Sequence, residues 1–87
     1  MLNITVTNRN TSEKKRYKFT QNTILIGRQA NCDIMLESTT ISRRHARILV
    51  NKNLIEVEDL GSGNGTIINQ SKIKSHDKAI IKPGDTI

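Results

Sequence analysis

The chain has 87 residues, of which 14 are Lys or Arg and 8 are Asp or Glu, for a net charge of +6. That length gives one domain with a small core and excludes a deep catalytic cavity beside it. Ile occurs thirteen times, Thr nine and Val three, so 25 residues are β-branched against three Ala, a balance that favours strands over helices.

Leu2, Ile4 and Val6 alternate with Asn3, Thr5 and Thr7, which predicts a half-buried first strand and not a signal peptide. A turn is expected over Asn8 to Ser12. Lys15 to Thr20 alternates again, with Tyr17 and Phe19 inward and Arg16 and Lys18 outward. Thr23 to Ile26 is a short apolar strand ending at Gly27, Gln29 to Asp33 a loop, and Ile34-Met35-Leu36 a further extended piece. After the polar stretch Glu37 to Arg44 come His45 to Val50 and Leu54 to Leu60, joined by Asn51-Lys52-Asn53 as a hairpin. Gly61-Ser62-Gly63-Asn64-Gly65 leads into Thr66-Ile67-Ile68. Lys72 to Ile73 and Ala79 to Ile81 complete the strands, and Pro83-Gly84-Asp85 reads as a turn feeding a strand beyond Ile87. Short strands with turn signals every 8–12 residues make an all-β sandwich of mostly antiparallel strands, expected to lack its last one or two. The whole chain is read as one domain, the N-terminal part of a larger protein.

Apolar residues recur throughout, which excludes disorder, yet no uninterrupted apolar run exceeds three residues, far short of the ~18 that cross a bilayer. No membrane partner is expected. Cys32 is the single cysteine, so no intrachain disulfide is possible and a reducing, cytoplasmic setting is expected.

Three loop segments at strand ends carry the chemistry: Gly27-Arg28, Ser42-Arg43-Arg44-His45 and Ser62-Gly63-Asn64-Gly65-Thr66. In a sandwich, loops distant in sequence converge on one rim. Together these gather guanidinium groups, a hydroxyl, an amide and Gly-rich backbone N–H groups, all hydrogen-bond donors, with no carboxylate among them. That is an anion site, and phosphate is its natural guest. A phosphorylated side chain brings about −1.5 to −2 charge and three acceptor oxygens. The planar fork of Arg28 can grip two of them, which a Lys cannot do.

Gly27-Arg28, Ser42-x-x-His45, Asp59-Leu60-Gly61-Ser62-x-Asn64-Gly65-Thr66-x-x-Asn69 and Pro83-Gly84-Asp85 resemble, in order and spacing, the forkhead-associated (FHA) domain family. The resemblance runs over nearly the whole chain. It implies an eleven-stranded sandwich that binds phosphothreonine on one rim, with its termini close together at the other end. Carried over by residue, it implies that Arg28 and Ser42 contact the phosphate, Arg43 supplements them and Asn64 holds the backbone of the bound peptide. Gly27, His45 and Asn69 would brace the loops, Gly65 would allow a tight turn, and Thr66 would support it. Thr40 lies where the family often reads the third residue after the phosphothreonine, and its short neutral hydroxyl disfavours acidic selection at that position. Gly63 departs from the pattern: many members carry a side chain there that helps form the pocket for the threonine methyl, so a weaker preference for threonine over serine is expected.

The resulting expectation is a non-catalytic module that recognises phosphothreonine in a protein partner, in trans or in the same polypeptide, downstream of a Ser/Thr kinase, without metal or cofactor. A phosphate-independent scaffold that self-associates through an uncovered sheet edge is the alternative. Lys14-Lys15-Arg16-Lys18 and Lys72-Lys74-Lys78-Lys82 could instead mark a nucleic-acid footprint, but Tyr17 and Phe19 are the sole aromatics and stacking platforms are missing. Ser42, His45 and Asp59 supply the inventory of a hydrolase triad but not its Gly-x-Ser-x-Gly elbow. The Gly61–Gly65 run fits neither dinucleotide nor P-loop spacing, and it precedes a strand where those motifs need a helix. Neither His45, His76 and Cys32 nor their spacing makes a metal site.

Overall fold

The computed structural model describes residues 2–8, 11–52, 54–82 and 87. Nine strands run through them: β1 (Leu2–Thr7), β2 (Lys14–Phe19), β3 (Thr23–Gly27), β4 (Ile34–Met35), β5 (Ala46–Asn51), β6 (Leu54–Asp59), β7 (Thr66–Ile68), β8 (Ser71–Ile73) and β9 (Lys78–Ile81). No helix occurs among the described residues, hence none long and apolar enough to cross a membrane. The expected all-β sandwich is present, and each strand falls within a residue or so of its expected limits. The Pro83-Gly84-Asp85 turn lies outside the described residues, as does Asn53 of the β5–β6 turn, whose Lys52 has a left-handed φ of 55°.

One layer is a five-stranded sheet in the order β4-β3-β5-β6-β9, and hairpins β1-β2 and β7-β8 form the other. All pairs are antiparallel except β3 with β4, whose register sets Ile26 beside Ile34. Strand alternation sends Ile24, Ile34, Ala46, Ile48 and Val57 to the inner face, where with Ile68 of β7 they make the buried core. Leu2, Ile4 and Val6 of β1, Tyr17 and Phe19 of β2, and Ile73 of β8 pack on this cluster from the other layer. Tyr17 and Phe19 stack with ring centroids 5.8 Å apart, which confirms their common inward face. On the outer face of the five-stranded sheet, the cross-strand pair Arg47 and Glu58 forms an ion pair.

The register fixes where function can sit. The C-terminal ends of β3 and β6 and the N-terminal ends of β5 and β7 share one rim, because β5 runs antiparallel to both its neighbours. The three loop segments all open there. At the opposite end, the β2–β3 loop and the β5–β6 turn border a cavity of about 220 Å³ lined mainly by Leu2, Phe19, Val50 and Ile55.

Candidate functional site

Backbone hydrogen bonds continue the β3–β5 ladder past the strand ends and clamp residues 42–45 to the end of β3. The Arg28 N–H donates to the Ser42 carbonyl (3.1 Å), the Gln29 N–H to the Arg43 carbonyl (3.2 Å), and the His45 N–H to the Ile26 carbonyl (2.9 Å). The approach is so close that a Cβ built on Gly27 would lie 2.2 Å from the Arg43 carbonyl oxygen and 3.1 Å from the Cα of Arg44. Backbone occupies that space, so no side chain fits at position 27 without moving the segment that bears Ser42 and Arg43.

Arg28 projects from this clamp. Its Nε–H donates to the Ile41 carbonyl at 3.1 Å, which fixes the guanidinium plane and leaves both terminal nitrogens without partners among the described residues. Ser42 is half-buried, and its Oγ accepts the Gly63 N–H at 3.0 Å. A hydroxyl that accepts still has its own proton to donate. Asn64 crosses between loops, its Nδ2 donating to the Thr40 carbonyl at 2.7 Å, which leaves Oδ1 and one amide proton. The rim therefore brings Arg28, Ser42, Gly63 and Asn64 together, with Thr40 at its border. Arg43 is exposed beside Ser42, while its carbonyl accepts from Gln29 N–H and from the Cys32 thiol at 3.4 Å.

His45 ties the two loops. Its Nδ1 accepts the Ser42 N–H at 3.1 Å, so Nε2 carries the proton and donates to the Gly65 carbonyl at 2.7 Å. Neither bond reaches the Ser42 hydroxyl, and Asp59 is bonded elsewhere, so these three residues are not wired as a triad.

The 61–65 loop is held from inside by Asp59, which is fully buried at the end of β6. One carboxylate oxygen accepts the Gly61 and Ser62 N–H groups at 3.1 and 3.0 Å, and the other accepts the Ser62 and Thr66 hydroxyls at 2.5 and 2.7 Å. Burial pushes this carboxyl up, but the Ser62 and Thr66 hydrogen bonds outweigh it and hold the group below the usual carboxylate range. Ser62 extends the network, its Oγ accepting the Gly65 N–H at 2.9 Å. Gly65 has φ +82°, a left-handed turn that suits glycine.

Asp59 and Ser62 are the functional supports that sequence reasoning missed. Their signal was present in Asp59-x-Gly61-Ser62, the local pattern in which an Asp accepts from backbone two and three residues on. Asn69, with Gln70, forms the two-residue β7–β8 turn, both at positive φ (48° and 75°), a conformation Asn tolerates well. His76 is exposed, and its ring lies over Gly61, within 2.8 Å of where a Cβ would stand.

A strand-rimmed anion cradle on this sheet order is the architecture of a forkhead-associated domain, and the chain belongs to that family, whose FHA domain profile matches residues 24–87. Among curated relatives, the oxoglutarate dehydrogenase inhibitor of Corynebacterium efficiens is 39% identical over 72 residues, 83% of this chain and 49% of that protein. The glycogen accumulation regulator GarA of Mycolicibacterium smegmatis is 34% identical over 82 residues, 94% of this chain and 50% of that protein. Mycobacterium tuberculosis EmbR, solved in complex with a low-affinity phosphopeptide, matches with TM-score 0.76 at 26% identity, over 93% of this chain and 20% of that one. The chain thus spans about half the length of the curated relatives it matches.

Proposed function

We propose that this FHA domain captures phosphothreonine-containing protein segments on its loop rim. Arg28 grips the phosphate with its two terminal nitrogens, Ser42 donates its hydroxyl proton, and exposed Arg43 adds a further cation. Asn64 uses its remaining amide proton and Oδ1 to hold the peptide backbone. Gly27, His45, Gly65 and Thr66 hold the loops that present these groups, and Asn69 fixes the far turn of the β7–β8 hairpin. The reading rests above all on the spent and unspent hydrogen bonds of the rim. Arg28, Ser42 and Asn64 are each fixed by one bond to a neighbouring loop of the same rim, and each keeps donor capacity beyond that bond. A similar role is consistent with EmbR, which was solved with a phosphopeptide. The partner is a protein phosphorylated by a Ser/Thr kinase.

The test compares the domain and Arg28→Ala against peptides that differ only in carrying threonine, phosphoserine or phosphothreonine. Hydrogen bonds to charged groups contribute about 1.5–3 kcal/mol each, so Arg28→Ala should weaken phosphothreonine binding by about 10- to 100-fold while thermal unfolding changes little. Undiminished binding by this folded variant overturns the site.

A further inference from the structure

The 61–65 loop has a second side. Opposite Ser42 it borders a groove of about 270 Å³ lined by Ser62, Gly63, Gly65, Lys72, Ile73, Lys74 and Ser75. Two lysines enter this lining and no carboxylate does. Lys72 stands across from Ile67 in the β7–β8 hairpin, on the same face as Gly65. Its stem leans back along the hairpin onto Gly65, where a Cβ would meet Lys72 Cε at 2.3 Å and its Nζ at 3.3 Å. The missing side chain at position 65 therefore lets the Lys72 ammonium approach the rim. Lys74 follows two residues on. Among the described residues neither Lys72 nor Lys74 forms an ion pair with a carboxylate.

Gly63 joins the two sides. Its N–H donates to Ser42 Oγ in the phosphate site, and it also lines the lysine groove. A Cβ at this position would meet nothing nearer than Ser42 Oγ at 4.0 Å, so the space beside it is open. No side chain at position 63 divides the phosphate cradle from the groove. An extended peptide advances about 3.3 Å per residue, so one anchored at the cradle can set a flanking side chain into the groove.

From this continuity we infer that Lys72 and Lys74 form an accessory subsite for a second anionic group on the phosphothreonine peptide, a carboxylate or a further phosphate. The inference rests on the phosphothreonine reading above and adds a specificity that Arg28, Ser42 and Asn64 do not supply. Thr40, at the other border of the rim, offers a neutral hydroxyl already paired with Ser38 Oγ, so acidic selection falls on the lysine side.

The experiment measures dissociation constants for short peptides with a central phosphothreonine in a neutral Gly/Ser background. A single Asp, or a single phosphoserine, is walked through the flanking positions, and peptides with phosphoserine and unphosphorylated threonine control for occupancy of the primary site. Exposed ion pairs are individually weak, so Asp at one favoured position should tighten binding about two- to fivefold and phosphoserine there about tenfold. The size of the gain distinguishes the two sources of charge. In Lys72→Met/Lys74→Gln, which keeps an apolar stem over Gly65, the gain should vanish and the ratio to the neutral peptide return to about one. Lys14→Gln/Lys15→Gln removes the same charge from β2 and should keep the gain. A gain that survives the first double variant, that is lost equally in both, or that is missing at every position overturns the subsite. Tight wild-type binding to the neutral phosphothreonine peptide, diminished by Arg28→Ala, with no acidic gain anywhere would refute the subsite alone. No wild-type binding to any phosphothreonine peptide overturns the phosphothreonine reading and the subsite with it.

Discussion

The two sides of the rim are built on different physics. The segment carrying Ser42 and Arg43 is clamped to β3 by main-chain hydrogen bonds, a clamp that demands a missing side chain at Gly27 and is backed by the His45 ring on the Ser42 N–H. The 61–65 loop makes few such bonds and is gathered around one buried carboxylate, that of Asp59. A backbone clamp tolerates most substitutions and fails by steric intrusion. A carboxylate hub fails by loss of charge, and so it answers to pH. Two loops that meet at one ligand are therefore open to separate perturbation.

The largest effect should come from removing the hub. Asp59→Ala strands four donors, two of them backbone N–H groups, and should cost about 3 kcal/mol or more by chemical denaturation, a large share of the stability of a domain this small. The same carboxylate sets an acid limit. Because its folded pKa is depressed, its contribution is fully present above the unfolded value of about 4 and is lost as pH falls below that through the folded pKa. Asp59→Asn should flatten this part of the stability profile, and an unchanged acid limb in that variant would show that other carboxylates carry it.

Intrusion on the clamp comes next. Gly27→Ala should cost about 2–3 kcal/mol with no change in the acid limb, since it forces the Arg43 carbonyl outward and leaves Asp59 untouched. A stability equal to wild type would mean that the 42–45 segment moves freely, contrary to a rigid clamp. The smallest effect belongs to Gly63→Ala. That position has ordinary backbone and open space, so a methyl there should leave stability within about 1 kcal/mol of wild type, on the favourable side. If it also raises the ratio of phosphothreonine to phosphoserine affinity by a few fold, the missing wall of the methyl pocket is located.

How legible this was depended on which atoms did the holding. The strands announced themselves through alternation, as in Leu2, Ile4 and Val6 or Tyr17 and Phe19, because one buried face forces a period of two. Arg28, Ser42 and Asn64 could be read because their side chains are the chemistry. His45 was legible as a brace, but its partners, the Ser42 N–H and the Gly65 carbonyl, are main-chain groups that carry no residue identity. Asp59 was visible only as part of a motif and as the third member of a discarded triad. Its donors come from Gly61 and Ser62 of the loop and from Thr66 at the start of β7, and their convergence depends on the turn at Gly61, a geometry the letters do not state. The parallel pairing of the two-residue β4 with β3 was hidden for a similar reason: so short a strand has no periodicity of its own.

The single imidazole that bridges both loops has a consequence for the kinetics of capture. With His45 holding Ser42 to Gly65, the receptor's ordering entropy falls on folding and not on the encounter with a peptide. Association should then need little loop rearrangement, its rate set by diffusion and by the +6 charge that steers acidic segments inward. Differences between good and poor phosphopeptides accordingly reside in how long each stays bound.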